Sequence, residues 1–140
     1  MTADRSRVLL VKRSIPPVGK WTIPAGFMEI GENSSDGAIR ETKEEANADV
    51  TITSVIAVYN ILAAAQVQIM YLAYLLDEHV EAGSETSEAR LFAWDEVPWD
   101  SLAFATVTWA LEYARSNLSN IDNVHPQLRT KQMDGSYIEA

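Results

Sequence analysis

Residues 26–48 read GFMEIGENSSDGAIRETKEEANA, and this stretch decides how the whole chain is read. Ser34, Ser35 and Asp36 are helix-start residues, and Ala38-Ile39 opens an apolar face behind them. The pattern predicts a helix from about Ser35 to Ala46. On that helix Glu41, Glu44 and Glu45 stand at i, i+3 and i+4, which share one surface. Three carboxylates held together repel one another unless a cation sits among them. Their oxygen-only chemistry suits a hard ion, Mg²⁺ or Mn²⁺. Arg40 and Glu44 are i, i+4 partners, so one carboxylate is free to face the arginine while others meet the metal. An acidic run of this kind, met without context, reads more simply as a solvated helix face. Gly37 lies inside the helix at a cost of roughly 1 kcal/mol relative to alanine, with no reason visible in the sequence.

The context comes from the spacing. Gly26, Glu32, Arg40-Glu41 and Glu44-Glu45 fall at the intervals of the Nudix box: glycine, five residues, glutamate, seven residues, Arg-Glu, two residues, Glu-Glu, one residue, glycine. The chain therefore resembles the Nudix hydrolase superfamily. Asn47 replaces the closing glycine. It is the next best residue for a left-handed backbone just past a helix. Thr42 stands where the family prefers an aliphatic residue.

Composition bounds the rest. The chain has 140 residues, enough for one domain with a sizeable core, and 47% of them are hydrophobic. It contains no cysteine, which excludes disulfides and cysteine-based zinc sites. No apolar run is long enough for a membrane span, and no signal-peptide pattern opens the chain, so a cytoplasmic location is the expectation. A net charge of −9 argues against broad nucleic-acid binding. The charge is uneven. Arg5, Arg7, Lys12, Arg13 and Lys20 make the first twenty residues basic, whereas the box is acidic. An acidic metal cup beside a basic strand suits a metal-bound, phosphate-bearing ligand.

Along the chain, Val8–Arg13 reads as a strand and Trp21–Pro24 as a short extended run. Val50–Ile61 and Val67–Leu76 read as long buried strands, His79–Ser87 as a loop, and Leu91–Trp94 as a short strand. Phe104–Leu118 has helical apolar spacing. The expectation is one domain over 1–118 and a partly loose tail over 119–140. This order fits α/β layering. The resemblance implies the family's α/β/α sandwich with a mixed β-sheet. Members usually carry a strand before the one at Val8, and only seven residues precede it here. Either the chain is a shortened form of a longer protein, or that strand is missing or borrowed from another subunit.

Three further stretches, Trp21–Glu29, Ser87–Phe92 and Val97–Phe104, look like the bacterial and plastid branch that hydrolyses ADP-ribose, FAD or related dinucleotides. Members of that branch often carry an N-terminal zinc ribbon, which this chain lacks. The resemblance implies metal-dependent hydrolysis of a nucleoside diphosphate linked to a group X, releasing a nucleoside monophosphate. It implies Glu41, Glu44 and Glu45 as carboxylate ligands of Mg²⁺ or Mn²⁺, the Ala25 carbonyl as a further ligand, and Arg40 as their buttress. A general base would be a box glutamate or one from a distant loop, for which Glu85 and Glu88 are the candidates. Arg13 is the candidate for a phosphate, with Lys12 beside it on the opposite strand face, and Gly26 and Phe27 line the substrate side. Trp21, Tyr71 and Phe104 are further rings able to stack on a base, although such aromatics are more often core. A homodimer fits a sheet with an uncovered edge. Rival readings are a nucleoside triphosphate pyrophosphohydrolase, a non-catalytic nucleotide sensor, and an interaction domain whose acidic helix meets a basic partner.

Overall fold

β1 (Arg7–Arg13) explains the layering in the computed structural model, which describes residues 1–139. Four successive apolar residues, Val8 to Val11, are all buried, so both faces of this strand are covered. Val8 and Leu10 join a cluster with Phe92, Trp94, Val107 and Leu111. Leu9 and Val11 join another with Ala46, Ala48 and Leu75. Antiparallel to β1 lie β2 (Trp21–Thr22) on one side and β5 (Thr86–Ala93) on the other.

The second sheet is mixed. β3 (Val50–Ile61) pairs antiparallel with β4 (Gln66–Leu75) and parallel with β6 (Gln127–Lys131), and β7 (Tyr137–Glu139) closes its far side. α1 (Ser34–Ala46) supplies Ala46 to one cluster, and α2 (Ala105–Ser116) supplies Val107, Ala110, Leu111 and Ala114 to the other. The helices thus lie on opposite faces, which is the expected α/β/α sandwich.

β3 has the bounds expected from its β-branched run, and β4 begins and ends one residue earlier than expected. β5 is longer than the Leu91–Trp94 strand read from apolar residues. Its first half is polar because it pairs with β1 while Ser87 and Arg90 face solvent, so its apolar half alone carried the signal. Trp94 leaves the strand and starts a 3₁₀ turn, its indole N–H donating to the Arg5 carbonyl.

One expectation changes. Residues 119–139 are not a loose tail: they complete a 3₁₀ segment holding the fully buried Ile121, then form β6 and β7. Polar residues hid it, because β6 is fixed by pairing with β3 rather than by a continuous apolar face. The Tyr59 hydroxyl donates a 2.6 Å hydrogen bond to Gln127, and the Arg129 guanidinium lies over the ring of Tyr137 at 4.1 Å and near that of Trp109 at 5.5 Å. At the other end, no strand precedes β1 among the described residues. Met1 instead sits on the outer edge of β4, its amine donating to the Ala73 carbonyl and its carbonyl accepting from the Leu75 N–H.

Candidate active site

α1 is held at both ends by asparagines. Asn33, rather than one of the serines or Asp36, is the N-cap: its side chain accepts from the Asp36 N–H at 2.8 Å. Asn47 closes the helix in the left-handed conformation, φ 50° and ψ 29°, and its N–H donates to the Lys43 carbonyl. Its side-chain amide also donates to the carbonyls of Glu81 and Ala82, both at 3.1 Å. A glycine there would keep the turn and lose those two bonds.

The loop between β4 and β5 is anchored to the end of α1. The Thr86 hydroxyl donates to the Glu45 carbonyl at 2.7 Å and accepts from the Gly83 N–H. A methyl on Gly83 would stand 1.8 Å from the Glu44 carbonyl oxygen. Only glycine lets the loop approach so closely.

Arg40 is the hub of the acidic face. It grips Glu32 with two nitrogens, Nε to Oε2 at 3.0 Å and Nη2 to Oε1 at 2.7 Å. Its Nη1 donates to Glu41 at 2.8 Å and to Glu44 at 3.2 Å, and Nη2 reaches the Phe27 carbonyl at 3.0 Å. Glu29 stands 3.6 Å away. The Arg40 bonds, reinforced by the Glu29 N–H, pull the Glu32 carboxyl down to about 2. Those carboxylates in turn hold the guanidinium more firmly protonated than usual.

This network explains two glycines. A methyl on Gly37 would press against Glu32 Oε1 at 3.0 Å, so the helix interior gives up a side chain where Glu32 lies across it on the way to Arg40. A methyl on Gly26 would lie 2.2 Å from the Glu41 carboxylate, which occupies the space a side chain would need. Glu32 is the residue whose role the sequence left unstated. The signal was its fixed place six residues after Gly26, and its partner is visible only in three dimensions.

Glu45 faces away from the hub. Its Oε2 accepts from the Ala25 N–H at 3.0 Å, which ties the helix to the loop ahead of it. Burial raises the Glu45 carboxyl to about 7; the negative charges of Glu41 and Glu85 add to the rise, and the Ala25 bond and Arg13 oppose it. The site thus places a carboxylate where an arriving positive charge would relieve it. Among the described residues, no three His, Asp or Glu side chains converge to hold an ion as they stand. Glu41 and Glu44 are turned to Arg40, while Glu45 is turned to the loop. The donors fit a hard divalent cation in kind, being all oxygen.

The remaining candidates divide. Glu85 is exposed and close enough for its charge to act on Glu45. Glu88 is not with them. It lies across from Lys12 in the β1–β5 register and contacts that lysine at 3.5 Å. Lys12 points to the face of Val8 and Leu10, opposite to α1. Glu88 thus stands inside β5 on the Lys12 face, whereas Glu85 lies in the loop just before the strand. Arg13, on the α1 side, faces Glu45 and stacks over Phe104 at 5.1 Å. Arg13, Ala25, Gly26, Phe27, Glu45 and Phe104 line one mostly apolar cleft of about 670 Å³.

The carboxylate helix, its arginine hub and the glycine loop accord with a sequence match that spans residues 1–112: the NUDIX domain. The chain belongs to the Nudix family. A crystal structure of a Nudix hydrolase from Nitrosomonas europaea is 42% identical, with a TM-score of 0.83 over 90% of this chain and 73% of that one. An ADP-ribose pyrophosphatase from Streptococcus suis is 25% identical, with a TM-score of 0.64 over 93% of this chain and 92% of that one. Among curated relatives, an ADP-ribose pyrophosphatase of Methanocaldococcus jannaschii is 29% identical over 71% of this chain. The chain spans 60% of that relative's length. Nudix hydrolases generally need a divalent metal, in keeping with the oxygen donors on α1.

Proposed function

We propose that the chain hydrolyses a nucleoside diphosphate linked to a group X, of the ADP-ribose, FAD or NADH kind, and releases a nucleoside monophosphate. The observation that carries this reading is the acidic run of α1: Glu41 and Glu44 are held by Arg40, and Glu45, bonded to the Ala25 N–H, lines a cleft that Arg13 also lines. The names of relatives on two independent comparisons, both ADP-ribose pyrophosphatases, support the substrate class.

Glu41, Glu44 and Glu45, with the Ala25 carbonyl, would hold Mg²⁺ or Mn²⁺. A divalent ion there supplies charge for the diphosphate and lowers the pKa of a bound water. Arg40 holds Glu41 and Glu44 beside it, so both carboxylates would turn from the arginine toward the ion on binding. Arg13 supplies positive charge on the other side of the cleft, where a phosphate oxygen would stand. Gly26 lets Glu41 sit flush with the loop, and Phe27 borders the substrate side. We assign Glu85, whose charge acts on Glu45, as the loop carboxylate that takes a proton from water. The reading includes a cytoplasmic setting and a nucleotide as the small-molecule partner.

The test is product release from ADP-ribose, FAD, NADH, a diadenosine polyphosphate and an oxidised nucleoside triphosphate, with Mg²⁺ and with chelator. Prompt nucleoside monophosphate from one of the first three, lost in Glu45→Gln, is the expected result. Monophosphate plus pyrophosphate from the triphosphate alone would overturn the substrate class. Silence across the panel from a folded, Mg²⁺-binding protein would overturn hydrolysis.

A further inference from the structure

Four aromatic residues stand near the site, and the structure separates them. Trp21 is 7% exposed and packs edge-on against Phe92 at 4.9 Å, so it is core. The Tyr71 hydroxyl shares a hydrogen bond with Ser34 at the start of α1, which fixes it to the fold. Phe27 is 79% exposed on the loop after Gly26. Phe104 is 43% exposed and lines the cleft, as Phe27 and Tyr71 do, and sits at the first step of α2; it differs from them in carrying a cation on its ring. The Arg13 guanidinium lies over its ring at 5.1 Å.

Arg13 is itself under-used. One Nη2 bond goes to the Pro16 carbonyl, and its Nε is buried with no hydrogen-bond partner. A guanidinium carries five donors in a rigid fork that matches a phosphate. The Arg13 Nη1 makes no hydrogen bond among the described residues and is not buried, so it is the donor open to a ligand oxygen. A cation on an aromatic face, both bordering the cleft that Glu45 lines, brings together what a phosphate and its neighbouring base require.

We infer that Phe104 is the ring on which the nucleoside base of the substrate stacks, and that Arg13, held against that ring, takes the adjoining phosphate. The inference rests on the nucleotide reading above and adds which residues separate the base from the phosphate. Stacking uses the π-face that every base offers, so this subsite selects for a base without selecting one base over another. Arg13 contributes to any phosphate, with or without a base attached. The two residues are therefore separable by ligand.

The experiment is a titration of the Mg²⁺-loaded full chain, followed by backbone amide NMR, with AMP, GMP, UMP, CMP and ribose 5-phosphate. The spectrum shows at the same time that each variant is folded. In the wild type the best nucleotide should bind about tenfold tighter than ribose 5-phosphate, the scale of one aromatic stack. Phe104→Leu should bring the nucleotide down to the level of ribose 5-phosphate and leave the latter unchanged. Phe104→Tyr should restore the difference. Arg13→Gln should weaken both ligands by a similar factor. The inference is overturned if no nucleotide outbinds ribose 5-phosphate, if Phe104→Leu weakens both alike, or if it weakens neither. Hydrolysis is read separately: a protein that prefers nucleotides through Phe104 but releases no product refutes the hydrolase and keeps the subsite. One that hydrolyses while Phe104→Leu changes nothing does the reverse.

Discussion

Gly26 and Glu41 illustrate how a single hydrogen in place of a methyl fixes a site. The Glu41 carboxylate fills the space beside the Gly26 Cα, and a methyl would lie 2.2 Å from it. That carboxylate is the far end of a flexible side chain, so Gly26→Ala should displace it without unfolding the loop. The expected outcome is a loss of about a hundredfold in kcat, the scale of a one-ångström misplacement, with Tm nearly unchanged. Steady-state kinetics and a melting curve check both halves. At this scale much of the site was legible. Glu41, Glu44, Glu45 and Arg40 were named from their spacing, because helical periodicity fixes which residues share a surface. What the spacing did not carry were contacts between distant residues. Glu32 as the bidentate partner of Arg40, and Gly37 as the gap through which it passes, depend on how the loop folds back on the helix.

The helix and its flanking loop form the next unit. Asn47 ends α1 and also holds the 79–85 loop through two carbonyls. Asn47→Gly would keep the left-handed turn at no steric cost. It should still destabilise the protein by about 1 kcal/mol, the net worth of such hydrogen bonds after solvent competes for them. Chemical denaturation would show this, and Asn47→Gly matching or exceeding the wild type would contradict it. Among the elements, β3 and α2 were readable because their apolar patterns are strong, and α1 because of its helix-start residues and the spacing of its acids. The first half of β5 and all of β6 were not. Their residues are polar and become strands through backbone pairing with β1 and β3, which no local pattern announces. The β5 pairing put Glu88 on the Lys12 face, whereas Glu85 lies in the loop just before the strand.

One half-buried carboxyl ties the stability of the whole molecule to pH. Glu45 is raised from 4.5 to about 7. Between those values the folded protein holds a proton that the unfolded chain has lost, so this group makes unfolding easier as pH rises through the window. In the metal-free protein, Glu45→Gln should therefore match the wild type near pH 4 and exceed its Tm at pH 8.5. Added Mg²⁺ should stabilise the wild type at pH 8.5 and not the variant, by linkage of binding to folding. Thermal melting at the two pH values, with chelator and with Mg²⁺, checks each sign. The layering that frames this site was legible in β1, whose four consecutive apolar residues require cover on both faces. Arg40 has a consequence of another kind. It contacts Glu29, Glu32, Glu41 and Glu44 at once, so one built-in cation occupies the acidic face from the moment the helix docks. The chain carries its own stand-in counterion, so the fold of this face rests on charge that the polypeptide itself brings.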